Sequence, residues 1–244
     1  MHPAAPIDSP PGPPRPRKPR APLVAALLAA LSFVLILLVE LEWGPLGTVD
    51  GAIARTTHRW AVAHDGLTHA SRILTDWVWD PWTMRALITV AVVWLVFRGE
   101  RRLALWLAAT CLVGTLLQQG LKAAVDKPRP VWPDPVDSAH FAAFPSGHAM
   151  TAAVVCGLLL WLLRVYGVGP AVWRAGVTIA AVSVIGVGAT RIWNGVHWPS
   201  DVVGGWLLGA LMVALAIATY GYRPSARPPE TPETPETPET PETT

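Results

Sequence analysis

The chain has 244 residues, of which 52% are hydrophobic and only 15% carry a charge. A soluble domain of this size rarely has so few charges, whereas apolar runs of about twenty residues are typical of helical membrane proteins, so an ordinary soluble fold is excluded. The formal net charge of +2 and the lack of a basic stripe with interleaved aromatic residues give no support to a nucleic-acid partner.

The N-terminal segment 1–21 is rich in proline and cannot bury enough apolar surface to fold, so we predict a disordered cytoplasmic tail. It ends with four basic residues: Arg15, Arg17, Lys18 and Arg20. The apolar run 22–41 is long for a signal peptide, and no small-x-small cleavage site follows it. We therefore predict an uncleaved first transmembrane helix.

The next segment, 43–82, is more polar, and its apolar side chains Ile53, Trp60, Val62 and Leu67 suggest an amphipathic stretch along the membrane interface. Five further apolar runs are predicted to span the membrane: 83–98, 103–121, 147–164, 172–190 and 201–220. The expected fold is all-α, a bundle of six transmembrane helices within residues 22–222.

The C-terminal segment 223–244 contains the repeat "PETPETPETPETPETT", which begins at Pro229 and has no hydrophobic residue. Alternating proline and glutamate predict a disordered, extended and solvated tail.

The distribution of basic residues indicates the orientation of the bundle. Arg98, Arg101, Arg102 and the link 164–174 lie on the cytoplasmic side if both termini are cytoplasmic. The loops on the extracytoplasmic side of this topology also contain lysine and arginine. The positive-inside rule therefore favours this orientation without deciding it. The sequence predicts a multi-pass cell-membrane protein with both termini inside.

Three polar clusters fall on the extracytoplasmic side of this topology. They are Lys122–Pro130, Pro145–His148 and Thr190–Asp201. In a bundle these segments would meet at one membrane surface, and ionisable groups at membrane depth indicate function by default. We therefore expect one site built from three distant parts of the chain.

The cations of these clusters suit an anion with several oxygens, above all phosphate. Lys122, Arg129 and Arg191 would surround it, and arginine adds bidentate geometry. The backbone N–H groups of Ser146 and Gly147, at the start of the fourth predicted span, would add donors at a helix N-terminus.

Two histidines supply reactivity in this predicted site. Asp201 follows His197 by four residues around a helix start, so it could hold one ring nitrogen and leave the other free as a nucleophile. His148 could then protonate the departing oxygen as general acid. These groups form a phosphate-ester hydrolysis site that needs no metal or other cofactor. The alternative, a metal held by His148, His197 and Asp201, is disfavoured by the three surrounding cations.

The motifs Lys-x6-Arg-Pro, Pro-Ser-Gly-His and Arg-x5-His-x3-Asp, in this order, resemble the signature of the type 2 phosphatidic acid phosphatase superfamily. The resemblance covers roughly residues 80–220 and implies a six-helix membrane bundle that dephosphorylates lipid phosphates without metal through a phosphohistidine. Thr190 stands where the family often has serine, and it keeps the hydroxyl group.

The resemblance also implies a role for each matching position. His197 is the nucleophile, Asp201 orients it, and His148 is the acid for the leaving group. The remaining positions bind the phosphoryl oxygens: Lys122, Arg129 and Arg191, with the backbone of Ser146 and Gly147.

The expected substrates are a polyprenyl pyrophosphate of the undecaprenyl type, phosphatidylglycerol phosphate or phosphatidic acid. The first is favoured because an outward-facing site suits recycling of a carrier lipid. The segment 43–82 and the pair Gln118–Gln119 could shape the choice of headgroup.

Two alternatives stay open, a phosphotransferase with the same site and a non-catalytic phospholipid-binding membrane protein. A relative of the vanadate haloperoxidases is disfavoured, because those enzymes are soluble. Oligomeric state is left open.

Overall fold

The computed structural model describes residues 21–220, and all regular structure within this range is helical. The predicted tails 1–21 and 223–244 lie outside the described residues, except for Ala21. The described range holds eight α-helices: α1 (Ala21–Glu40), α2 (Gly44–Ala63), α3 (Asp65–Ile73), α4 (Pro81–Phe97), α5 (Arg101–Val125), α6 (Gly147–Val165), α7 (Pro170–Trp193) and α8 (Pro199–Tyr220). A π-helical turn, Leu74–Val78, lies between α3 and α4.

Six helical stretches within residues 21–220 are long and apolar enough to cross a bilayer. They are α1, the stretch Asp65–Phe97, α5, α6, α7 and α8. Helices suit this setting because every backbone polar group must be satisfied where water is absent. The predicted all-α fold with six spans is confirmed, and the chain is a multi-pass membrane protein. The second span starts earlier than the predicted run 83–98, since α3 and the π-helical turn lead into it.

The segment predicted to lie along the interface, 43–82, forms two helices and the π-helical turn. On α2 the buried face is small and polar; its residues are Asp50, Gly51, Ala54, His58 and Ala61. The four apolar side chains singled out in the sequence, Ile53, Trp60, Val62 and Leu67, are 42–61% exposed and point away from the protein. The segment therefore turns its polar face towards the bundle and its apolar face outwards.

Close packing of α6 against α8 sets the position of the site. A Cβ atom at Gly205 would lie 2.7 Å from the carbonyl oxygen of Ser146 and 3.0 Å from Cβ of Ala149. One turn further, a Cβ atom at Gly209 would lie 2.9 Å from the carbonyl oxygen of Met150. Small residues at a helix crossing let two backbones approach in this way. As a result, the N-termini of α6 and α8 lie side by side.

An apolar core fills the bundle below these helix starts. Its fully buried members include Leu95, Leu107, Met150, Leu158 and Val187, which come from α4, α5, α6 and α7. Helix association within a membrane depends on such close van der Waals packing. The core holds the ends of the spans in fixed register, and the loops above it carry the polar clusters.

Candidate active site

His197 lies in the short connection between α7 and α8 and is only 2% exposed. Its Nδ1 is 3.3 Å from Oδ2 of Asp201, and its Nε2 is 3.2 Å from Nη1 of Arg129. A carboxylate can only accept and a guanidinium can only donate, so the neutral ring carries its proton on Nδ1. The lone pair of Nε2 therefore faces Arg129, on the side of the site cations.

The electrostatic environment keeps this imidazole uncharged at neutral pH. Burial lowers the pKa of His197 to about 4, and the positive charges of Arg129 and Arg191 act in the same direction. The hydrogen bond and negative charge of Asp201 oppose that shift. A neutral imidazole has a free lone pair on Nε2, which is the state that nucleophilic attack requires.

Arg129 is held in place by the polypeptide on both sides of the site. Its guanidinium donates to three backbone carbonyl oxygens: those of Phe141 at 2.8 Å, His140 at 3.1 Å and Val196 at 2.5 Å. Lys122 donates to the neighbouring carbonyl of Ala142. The loop between α5 and α6 thus wraps around two of the three predicted cations and holds Arg129 against His197.

Arg191, at the end of α7, is 5% exposed. Its Nη1 is 3.4 Å from Oγ1 of Thr75 and 3.8 Å from Oδ2 of Asp137. Its buried Nε has no hydrogen-bond partner within residues 21–220. Because buried donors are almost always paired, this N–H is a donor that an anionic oxygen could satisfy.

His148 is the second residue of α6 and is partly exposed, with its Nε2 4.0 Å from Oδ2 of Asp80. It lies within electrostatic reach of Arg191, His197, Arg129 and Lys122. Asp80 caps the start of α4 by accepting from the backbone N–H of Trp82 at 2.7 Å. The structure therefore brings all three predicted cations and both predicted histidines to one region.

The start of α6 differs in one detail from what the motif led us to expect. The backbone N–H of Ser146 donates to the carbonyl oxygen of Asp201 at 2.9 Å, so this donor is already used. The buried Ser146 hydroxyl has no partner among the described residues, so this hydroxyl and the backbone N–H of Gly147 in the first turn of α6 remain available to an anion. A Cβ atom at Gly147 would lie 2.7 Å from Nε2 of Gln118, which places buried Gln118, rather than exposed Gln119, beside the site.

Four acidic or basic side chains at this end were not identified as site residues from the sequence: Asp50, Asp80, Lys127 and Asp137. Lys127 lies inside the first polar cluster, two residues before Arg129, and that position was a usable signal. The three acids are isolated in the sequence, and nothing in their local pattern indicates which partner they meet.

The alternative of a metal held by His148, His197 and Asp201 finds no matching arrangement in residues 21–220. No group of three or more His, Cys, Asp or Glu side chains is placed there to hold an ion. Oδ1 of Asp201 is 3.0 Å from Nζ of Lys127, and its Oδ2 accepts from the backbone N–H of Trp198 at 2.8 Å.

Comparison with known proteins identifies the class. Residues 102–225, more than half of the chain, match the PAP2 superfamily. The chain belongs to that superfamily, and the resemblance stated from the three motifs is confirmed.

Two curated relatives are similar to this chain. It is 26% identical over 151 residues to an undecaprenyl-diphosphatase of Sulfolobus acidocaldarius, covering 58% of this chain and 63% of the relative. It is 36% identical over 101 residues to phosphatidylglycerophosphatase B of Bacillus subtilis, covering 41% of this chain and 49% of the relative. The chain thus spans less than two thirds of the length of either relative.

A solved structure has the same fold. The crystal structure of a transmembrane PAP2-type phosphatidylglycerolphosphate phosphatase from Bacillus subtilis superposes with a TM-score of 0.64 at 23% identity. The superposition covers 80% of this chain and 95% of the other. At this identity the likeness concerns the arrangement of helices, and it agrees with the bundle described above.

Proposed function

We propose that this protein is a membrane lipid phosphatase that cleaves a phosphate ester or pyrophosphate through a phosphohistidine on His197, without a metal. One observation carries the proposal. A buried, neutral imidazole has Nδ1 held by Asp201 at 3.3 Å and Nε2 turned towards the guanidinium of Arg129. Membership of the PAP2 superfamily supports the same reaction.

In the first step, Nε2 of His197 attacks the terminal phosphorus atom, and the bond from this phosphorus to the departing oxygen breaks. The departing oxygen is the bridging oxygen of a pyrophosphate or the ester oxygen of a phosphomonoester. His148 gives its proton to that departing oxygen. The phosphoryl oxygens are bound by Lys122, Arg129 and Arg191, and Arg129 turns its Nη1 from Nε2 to one of these oxygens. Asp201 stabilises the positive charge that develops on the imidazole ring.

In the second step, water attacks the phosphohistidine. His148, now neutral, takes a proton from the water molecule, and the bond between phosphorus and Nε2 breaks. The electron pair returns to Nε2, and inorganic phosphate leaves. The proton taken from water leaves His148 protonated again, and His197 is neutral, so both histidines are back in the states in which they entered the first step.

The surrounding charges link the protonation of His148 to substrate binding. Burial and three nearby cations oppose a positive charge on the His148 imidazole, whereas Asp80, whose Oδ2 is 4.0 Å from Nε2, offers that charge a partner. A bound phosphate adds negative charge among the cations and therefore favours the protonated acid only when substrate is present. This coupling supplies an acid for the first step and a base for the second.

The proposed substrate is a polyprenyl pyrophosphate, with phosphatidylglycerol phosphate and phosphatidic acid as the next candidates. The named activities of the archaeal and Bacillus relatives support the first two. We place the site on the extracytoplasmic face, with both termini cytoplasmic, because Arg98, Arg101 and Arg102 follow the opposite end of α4. The phosphatase domain is residues 22–222, flanked by tails.

The test is phosphate release by the purified full-length protein in detergent with excess EDTA, using the three lipids in parallel. We expect release that survives chelation, is lost in His197→Gln and is kept in His69→Gln, which changes an exposed histidine of α3 in the same way. Full activity of His197→Gln would contradict the assigned nucleophile. An added alcohol that becomes phosphorylated would instead establish phosphotransfer.

A further inference from the structure

Lys127 is the centre of a polar network beneath the proposed nucleophile. Its Nζ donates to three oxygens: Oδ2 of Asp50 at 3.1 Å, Oγ of Ser200 at 2.7 Å and Oδ1 of Asp201 at 3.0 Å. The ammonium group thus has all three of its hydrogen bonds made. Lys127 is not among the residues to which the superfamily motifs assign a role.

Asp50, on α2, holds the other side of this network. Its Oδ1 accepts from the backbone N–H of Ser200 at 2.9 Å, and its Oδ2 accepts from the Ser200 hydroxyl at 2.5 Å. Asp50 is 4% exposed and lies outside residues 102–225, the part that matches the superfamily. A helix outside the matched region therefore contacts the first turn of α8.

The network determines how the carboxylate of Asp201 is oriented. Asp201 is fully buried, and its two oxygens have separate partners. Oδ1 accepts from Lys127, whereas Oδ2 faces His197 Nδ1 and the backbone N–H of Trp198. A buried carboxylate needs such partners on both oxygens, so Lys127 keeps Oδ2 directed at the imidazole.

The charge of Lys127 has a second consequence. It neutralises part of the negative charge of Asp201, and Asp50 in turn balances Lys127. Without Lys127, the whole negative charge of Asp201 would act on His197 and favour its protonated form. A protonated imidazole has no lone pair for attack.

We propose that Asp50 and Lys127 are positioning residues for the nucleophile, acting through Asp201 to orient His197 and keep it neutral. This inference rests on the proposed function for its effect on turnover, although the effect on His197 itself does not depend on turnover. The charged and titratable groups that face His197 are Asp201 from α8, Arg129 from the loop before α6, Arg191 from α7 and His148 from α6.

The first measurement is an NMR titration of the histidine rings in the full-length protein in detergent, with the His197 signal assigned from its loss in His197→Gln. We expect Lys127→Met to raise the pKa of His197 and Lys127→Arg to leave it close to wild type. The double variant Asp50→Asn/Lys127→Met removes both charges of the ion pair between Asp50 and Lys127, so that no unpaired Asp50 carboxylate is left buried. It allows the test to proceed if Lys127→Met alone does not fold. Asp126→Asn is the matched control, because it changes an exposed carboxylate next to Lys127 at a left-handed position that asparagine tolerates.

The second measurement is the kinetics of phosphate release from a polyprenyl pyrophosphate. We expect kcat of Lys127→Met and of the double variant to fall roughly 10- to 100-fold, as for other outer partners of site residues, while KM changes little. Lys127→Arg should recover most of the loss, and Asp126→Asn should match wild type.

The two readouts separate this inference from the proposed function. A raised pKa of His197 in Lys127→Met, found together with an inactive wild type, would support the positioning role and contradict the phosphatase activity. An active wild type whose Lys127→Met and double variants keep both the kcat and the His197 titration would overturn the positioning role.

Discussion

The arginines of the proposed site differ from the exposed arginines at the opposite end of the bundle. At the end away from the site, exposed arginines lie over aromatic rings: Arg98 is 5.6 Å from the ring centroid of Trp94, Arg102 is 5.0 Å from that of Tyr220 and Arg164 is 4.0 Å from that of Trp173. At the site end, Arg191 is 5% exposed and contacts Asp137 and Thr75, while Arg129 binds backbone carbonyls and His197.

The difference shows that the presence of arginine at a membrane surface does not by itself indicate a site. An arginine over an aromatic ring keeps its guanidinium near water and contributes about 0.5–1 kcal/mol when exposed. In a buried arginine such as Arg191, an N–H without a partner has lost its hydration and is open to a further acceptor, such as a phosphoryl oxygen. Burial and convergence with other polar groups therefore distinguish the functional end from the anchoring end.

The largest difference is expected when the same substitution is made at each end. Arg191→Lys keeps the charge but loses the planar fork, so kcat/KM should fall roughly 10²- to 10³-fold. Arg164→Lys keeps a cation near Trp173 and should leave turnover close to wild type. Steady-state phosphate release from both variants checks this, and equal activities would remove the distinction between the two ends.

A smaller effect is expected from His148→Gln, and its size should depend on the leaving group. The general acid matters most when an alkoxide departs, so phosphatidic acid hydrolysis should fall about 10²-fold or more. A polyprenyl pyrophosphate releases a phosphate oxygen, which needs less protonation, and should lose less. The ratio of kcat/KM values for the two lipids measures this. Equal losses for both lipids would count against His148 as the acid.

Glycine substitutions compare the packing at the two ends. Gly205→Ala places a Cβ atom 2.7 Å from backbone at the start of α6, which cannot yield easily, and should cost about 1–3 kcal/mol of stability. Gly176→Ala meets the end of the flexible Leu163 side chain at 2.8 Å and should cost less. Thermal unfolding in detergent ranks the two variants, and a larger cost for Gly176→Ala would contradict the close packing at the site.

The smallest effect concerns pH and the burial of His197. Its folded pKa, about 4, lies below the ordinary value of 6.5, so the folded state binds fewer protons than the unfolded state between these values. Stability is therefore lost as pH falls through this window, by about 1 kcal/mol between pH 7.5 and pH 6. His197→Gln should lack this contribution. Melting temperatures of the two proteins across this range test it; parallel curves would mean that His197 is not held neutral.

Much of the fold could be predicted from the sequence because each span is a continuous apolar run. The start of the second span was placed too late, at residue 83, because Asp76 and Asp80 interrupt the apolar pattern that leads into it. The segment 43–82 divides at His64, which local composition does not indicate.

Those residues of the candidate site that belong to recognisable motifs could be predicted from the sequence. Asp50 could not be found in this way, because its partner Ser200 is 150 positions away. An isolated acidic residue in a sequence does not indicate which residue it contacts. The hydrogen bond from the backbone N–H of Ser146 to the carbonyl oxygen of Asp201 was missed for a related reason. It depends on the close approach of α6 to α8, which only the packed glycines of α8 make possible.

The proposed mechanism depends on covalent transfer of phosphate to Nε2 of His197, and a rapid-quench experiment can detect that intermediate. Wild-type protein would be mixed with a polyprenyl pyrophosphate labelled in its terminal phosphate. The reaction would be stopped in alkali, and the protein would be digested for mass spectrometry. We expect an acid-labile, alkali-stable phosphate on the peptide that contains His197, formed at least as fast as phosphate is released. Release at the full rate with no label on that peptide, or with the label on another residue, would contradict it.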